Sequence, residues 1–159
     1  MVSRRELLRG VLSDRRPRLR PPWALPEPRF SAVCTACGDC LPACRAGILV
    51  SDEEGRPVVD FADGECSFCG DCLRVCKAGS LSLRAFAGAD PWPVKARISE
   101  RCVNLMGVLC RECGSACMER AIRFAVTAEG VRVELDEAAC SGCGACYRAC
   151  PKRAIEIRG

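Results

Sequence analysis

Cys34-Thr-Ala-Cys37-Gly-Asp-Cys40-Leu-Pro-Ala-Cys44 sets four cysteines at the spacing C-x-x-C-x-x-C-x-x-x-C. The same spacing recurs at Cys66, Cys69, Cys72, Cys76 and at Cys140, Cys143, Cys146, Cys150. A fourth group, Cys102, Cys110, Cys113, Cys117, keeps the last two intervals but opens with a gap of seven residues instead of two. Together these groups hold all 16 cysteines of the 159-residue chain. Three cysteines at two-residue intervals can wrap one loop around a common centre. The last cysteine, four residues after the third, lies about one helical turn on and points away from that loop.

Four soft thiolates at tetrahedrally disposed corners are what a cubane iron–sulfur cluster requires, and this spacing is a ligand run for such clusters. Two other readings compete. A cysteine content this high also suits a disulfide scaffold, but that calls for an oxidising compartment and a secretory signal. The start, MVSRRELLRGVLSDRRPRLRPPW, has no apolar run of the required length, and nothing later approaches a membrane span. The expectation is a soluble protein of the reducing cytoplasm. All-cysteine zinc is the second competitor, yet zinc ribbons present two cysteines per loop, not three followed by a fourth. The chain has no histidine, which removes Rieske centres, histidine-ligated haem and mixed zinc sites. It also removes the commonest general base. No nucleophile–base arrangement stands out, so an electron-transfer or accessory protein is expected and not an enzyme.

In two-cluster ferredoxins the fourth cysteine of each run ligates the neighbouring cluster. That rule assigns Cys34, Cys37, Cys40 and Cys76 to site 1, and Cys66, Cys69, Cys72 and Cys44 to site 2. It assigns Cys102, Cys110, Cys113 and Cys150 to site 3, and Cys140, Cys143, Cys146 and Cys117 to site 4. Four [4Fe–4S] clusters follow. At site 3 the loop 103–109 could carry Cys102 to the cube, or leave the cluster labile or absent. Gly38, Gly70 and Gly144 follow the second cysteine of their runs, where backbone must pass close to the cube. With clusters as the inner core, the apo-chain should fold poorly.

An internal repeat pairs the groups. Cys44-Arg-Ala-Gly-Ile-Leu resembles Cys76-Lys-Ala-Gly-Ser-Leu, and Cys117-Met-Glu-Arg-Ala-Ile resembles Cys150-Pro-Lys-Arg-Ala-Ile. This predicts an α+β fold of two small bacterial-ferredoxin-like modules, 30–84 and 98–159, with a Gly/Pro linker at 85–97. Each module should carry a short β-hairpin, Ile48–Phe61 in the first and Ala121–Leu135 in the second, with an acidic Gly turn. A short helix is expected near the end of each run. Residues 1–29 form a Pro/Arg-rich arm with eight arginines against three acids, ahead of a body that is acidic once clusters are bound. A solvated basic tail is the plain reading of the arm. Nucleic-acid binding is disfavoured because no aromatic-interleaved groove accompanies it.

Several stretches then resemble the NapF family of ferredoxin-type accessory proteins. They are Ser3-Arg-Arg with Leu8-Arg-Gly10, Arg20-Pro-Pro-Trp23, Glu65-Cys-Ser-Phe-Cys69, and the long first gap of the third run followed by Cys110-Arg-Glu-Cys113. The long gap is idiosyncratic, and in it the chain again resembles that family. The resemblance implies a cytoplasmic protein with cubane clusters that meets the molybdenum-containing catalytic subunit of periplasmic nitrate reductase before export and assists its maturation. A redox donor protein would complete the system. The competing reading is a soluble multi-cluster electron carrier. Ser3-Arg-Arg-Glu-Leu-Leu also resembles the start of a twin-arginine export signal, but Asp14-Arg-Arg-Pro follows where such a signal would turn apolar, so export is not expected.

Overall fold

Short helices and two-stranded antiparallel sheets make up an α+β chain in the computed structural model, which describes residues 18–86, 92–128 and 130–159. The Ser3-Arg-Arg and Leu8-Arg-Gly10 stretches lie outside the described residues. Helix α1 (Arg29–Val33) leads into the first cysteine run, and α2 (Cys40–Ala43) closes it. Strands β1 (Leu49–Ser51) and β2 (Pro57–Val59) pair antiparallel with Leu49 opposite Val59, at the place expected for the first hairpin. Asp52 shapes the turn, its carboxylate accepting from the Glu54 and Arg56 N–H groups at 3.0 and 2.9 Å. Helix α3 (Asp71–Arg74) follows in the second run.

In the second half come β3 (Lys95–Ile98), α4 (Glu112–Ser115), β4 (Ile122–Thr127), β5 (Gly130–Leu135), α5 (Ala145–Ala149) and β6 (Ile155–Arg158). The β4–β5 hairpin, with Ile122 opposite Leu135, again matches expectation. In every run the helical turn contains the third cysteine and ends before the fourth. Cys44 and Cys150 cap α2 and α5 in extended conformation. A helix that stops there turns the fourth side chain away from its own loop.

Two boundaries drawn from composition differ from the packing. Residues 18–29, assigned to a basic arm, are part of the folded body. Pro21, Pro22, Trp23 and Leu25 are buried, and the Arg20 side chain is only 9% exposed. Its guanidinium donates to Glu27 at 2.9 Å, to Asp52 at 2.9 Å and to the Pro57 carbonyl at 3.0 Å, with its carbon 4.6 Å from the centre of the Phe30 ring. Burial works to raise the Asp52 carboxyl, but the Arg56 and Glu54 N–H groups and Arg20 hold it below its ordinary value. A buried charge needs such partners. Proline costs little to order because its φ is already set, so a Pro-rich stretch packs as readily as it links.

The linker assigned to 85–97 likewise ends early. Residues 87–91 lie outside the described set, but Trp92, Val94 and Ala96 are buried, and β3 pairs along its length with β6, Lys95 opposite Arg158. The first half holds a reduced version of the same contact, a single bridge between Ala24 and Leu81. In both halves the segment before the first run thus meets the segment after the last.

Candidate iron–sulfur centres

Three voids are each lined by four cysteines. Cys34, Cys37, Cys40 and Cys76 line one, Cys102, Cys110, Cys113 and Cys150 another, and Cys117, Cys140, Cys143 and Cys146 the third. In each, the fourth cysteine comes from the other run of its half. For Cys44, Cys66, Cys69 and Cys72 the sign of proximity is electrostatic. The thiols of Cys66 and Cys72, each pushed up to about 11 by burial, feel both Cys44 and Cys69.

The donor set fits a polynuclear cluster better than a single ion. Among the described residues, no three cysteine, aspartate or glutamate side chains converge as one metal ion requires. A zinc site draws four sulfurs to about 2.3 Å from one centre. Four irons with bridging sulfides fill a larger space and hold the cysteines apart. The repeated four-cysteine lining points to one repeated guest. No two cysteines are joined as a disulfide.

Local backbone conformation builds these cups. Phe68 and Ala36, just before the second cysteine of their runs, have φ of +53° and +54°, where Gly142 stands at +75° in the fourth run. Non-glycine residues in that region are strained, and such strain concentrates at binding sites. Three places after each closing cysteine the chain is again left-handed, at Gly47, Gly79, Arg120 and Arg153. There the N–H returns to the cysteine carbonyl, at 2.9, 3.3, 3.1 and 3.1 Å respectively.

That turn aims later backbone donors at sulfur. Ala121 N–H donates to Cys117 Sγ at 3.3 Å and Ala154 N–H to Cys150 Sγ at 3.2 Å. Leu81 N–H reaches Cys76 Sγ at 3.5 Å, with the Ser80 hydroxyl at 3.3 Å. Donors to ligand sulfur stabilise the thiolate and are among the levers that tune a cluster's potential. Burial works to raise the Cys76 thiol, yet the Ser80 hydroxyl and the Leu81, Gly79 and Ser80 N–H groups outweigh it and hold it below its ordinary value. By contrast, burial pushes Cys40 and Cys113 up to about 11 and Cys146 up to about 12. Those thiols are protonated in an empty site, so cluster insertion must release their protons.

The long gap of the third run is an ordered loop. A 3₁₀ turn, Val103–Met106, follows Cys102. Asn104, 5% exposed, donates through Nδ2 to the Cys110 carbonyl at 2.7 Å and accepts the Cys110 N–H on Oδ1 at 3.1 Å. This amide clamp carries the chain from Cys102 back to Cys110, so both line one void despite the extra residues. Leu105, Met106, Val108 and Leu109 project from the loop, 57–67% exposed. Sequence reasoning singled out neither Asn104 nor Ser80, for an isolated polar residue near a cysteine carries no distinguishing pattern. No helix among the described residues is long and apolar enough to cross a membrane.

Comparison with known proteins agrees with this architecture. Residues 33–80 match the 4Fe-4S dicluster domain and residues 133–156 the 4Fe-4S binding domain, which establishes ferredoxin-like iron–sulfur modules. The chain is 46% identical to the ferredoxin-type protein NapF of Haemophilus influenzae, over 87% of this chain and 78% of that protein. It is 36% identical to NapF of Escherichia coli K12, over 97% of this chain and 93% of that one. The methylamine utilization ferredoxin-type protein MauM of Methylophilus methylotrophus is 34% identical over 88% of this chain and 69% of its own.

Proposed function

Because the chain belongs to the NapF family of ferredoxin-type proteins, we propose that it is a cytoplasmic carrier of four [4Fe–4S] clusters. It docks on the catalytic subunit of periplasmic nitrate reductase before export and supplies electrons or a cluster during its maturation. The observation that supports this reading is the gathering of twelve cysteines around three pockets, four to each, every set drawing its fourth cysteine from the other run of its half. Cys34, Cys37, Cys40 and Cys76 hold the first cluster, and Cys44, Cys66, Cys69 and Cys72 the second. The third is held by Cys102, Cys110, Cys113 and Cys150, the fourth by Cys117, Cys140, Cys143 and Cys146.

Each cluster, when bound, supplies a one-electron couple. The protein's own residues do the rest. Cysteine sulfurs hold the cluster, N–H groups of Leu81, Ala121 and Ala154 set the charge on those sulfurs, and the Asn104 clamp shapes the third cup. The apolar rim of that loop, Leu105, Met106, Val108 and Leu109, favours a protein partner over free diffusion, since exposed contiguous apolar surface marks interaction sites. The partner itself comes from the family likeness.

Removing the protein tests the reading. The nitrate reductase made in its absence should contain less iron–sulfur cluster and less activity, while enzyme assembled beforehand keeps its rate of quinol oxidation. Normal cofactor content with slowed electron delivery would instead establish the soluble carrier. Purified anaerobically, the protein should contain about sixteen irons. Replacing Leu105, Met106 and Leu109 with aspartate should weaken capture of the enzyme precursor without lowering that iron content.

A further inference from the structure

The two halves meet at the ligand loops themselves. Cys66 opens the second run and Cys143 is the second cysteine of the fourth, and the Cys66 N–H donates to the Cys143 carbonyl at 2.8 Å. Phe61, 5% exposed, fills the space beside Gly144, where a Cβ would lie 2.2 Å from its ring. The same ring stands 6.2 Å from Tyr147 and 6.0 Å from Trp92. On the other side of Cys143, a Cβ on Gly142 would lie 2.4 Å from the Val94 carbonyl oxygen. Arg148 and Glu65 pair across the rim at 3.7 Å.

Equivalent turns elsewhere are open. A Cβ on Gly38 would meet nothing within 4 Å, and one on Gly70 only the tip of Arg74 at 3.7 Å. The fourth run alone, among these three, has its turn packed against the other half of the chain. Behind this contact, Cys40, Cys44, Cys66 and Cys72 share one apolar core with Phe61 and Trp92, while Cys113 and Cys146 share another with Ala96 and Ile155. Tyr147 and Ile157 touch both.

We propose that this seam is a built junction that orders the four ligand sets 1–2–4–3 and makes the sets containing Cys66 and Cys143 redox neighbours. The chain is then one four-centre series whose ends are sites 1 and 3, instead of two ferredoxins on a tether. An electron crossing the junction leaves one centre and reduces the other, with no bond made and no proton moved. Electrons enter and leave through one-electron protein partners. Phe61, Gly142 and Gly144 are positioning residues, since they act by holding the loops together. The inference rests on the four-cluster reading above.

The test uses full-length, cluster-loaded protein. Amide exchange should be slow at Cys66 and at least tenfold faster in Phe61→Ala, with Phe61→Leu as the milder replacement if Phe61→Ala fails to fold. In dithionite-reduced protein, electron paramagnetic resonance should show spin–spin broadening that decreases in the variant while iron stays at about sixteen. Fast exchange at Cys66 in the native protein, or spectra unchanged by loosening the seam, overturns the junction alone. Iron well short of four clusters in the native protein overturns the four-cluster reading, and the junction falls with it.

Discussion

Three residues after each closing cysteine, the first half of the chain has glycine (Gly47, Gly79) and the second half has arginine (Arg120, Arg153). All four are left-handed, with φ between +47° and +76°, and all four return an N–H to the cysteine carbonyl. The halves therefore share a backbone requirement that their side chains do not advertise. What must be repeated is the turn, which after Cys76, Cys117 and Cys150 is followed by a backbone donor to sulfur. Glycine meets it without strain, whereas an L-residue with a Cβ costs about 1–2 kcal/mol there. A similar contrast separates the first and third runs. The first encloses its cup with two-residue spacers, while the third spends seven residues and needs the buried Asn104 amide to close the same void.

The repeat can be broken most severely at a crossover ligand. Cys44→Ala should empty the set containing Cys66, Cys69 and Cys72, lowering iron by about four per chain. If spectroscopy shows the loss at Cys34, Cys37 and Cys40 instead, the crossover assignment is wrong. Next comes a matched pair of glycines. Gly144→Ala collides with Phe61 as well as straining the turn, whereas Gly38→Ala meets open space and bears only the strain. Thermal denaturation of the loaded proteins should show the first variant far less stable, and equal losses would remove the case for a packed seam.

A smaller, local effect is expected at the long loop. Asn104→Ala removes both amide contacts to Cys110, so iron should leave site 3 to a chelator several-fold faster while release from the other sites is unchanged. Uniform release would mean that the clamp does not act on site 3. The smallest effect belongs to the turn residues. Arg153→Gly should stabilise the loaded protein by up to about 1 kcal/mol, with Gly79→Arg destabilising by a similar amount. Denaturation midpoints that move the other way would show that the arginine side chain itself contributes to the fold.

Much of the candidate site was legible because cysteine ligation is local. Spacing within each run brings three sulfurs to one cup, and the helical turn between Cys40 and Cys44, or Cys146 and Cys150, sends the fourth elsewhere. The hairpins were legible too, since short apolar pairs around acidic Gly turns leave little choice. Composition misled at residues 18–29 and 92–97. Arginine and proline there look like solvated linker, yet Arg20 finds Glu27 and Asp52, Pro21 and Pro22 fill core, and Trp92 donates its indole N–H to the Arg20 carbonyl at 2.9 Å. None of these partners is within reach of a local pattern, because each lies on a different segment.

From the chain of residues alone came the number of cysteine sets, their pairing into halves and the kind of guest they suit, for thiolate spacing and soft-ligand chemistry act over a few residues. The tertiary structure decided how the halves meet. The junction of Cys66 with Cys143, the Phe61–Gly144 contact and the β3–β6 pairing join segments that are distant in sequence. Packing settles such contacts by shape and by satisfying buried polar groups, and neither can be read from periodicity or spacing.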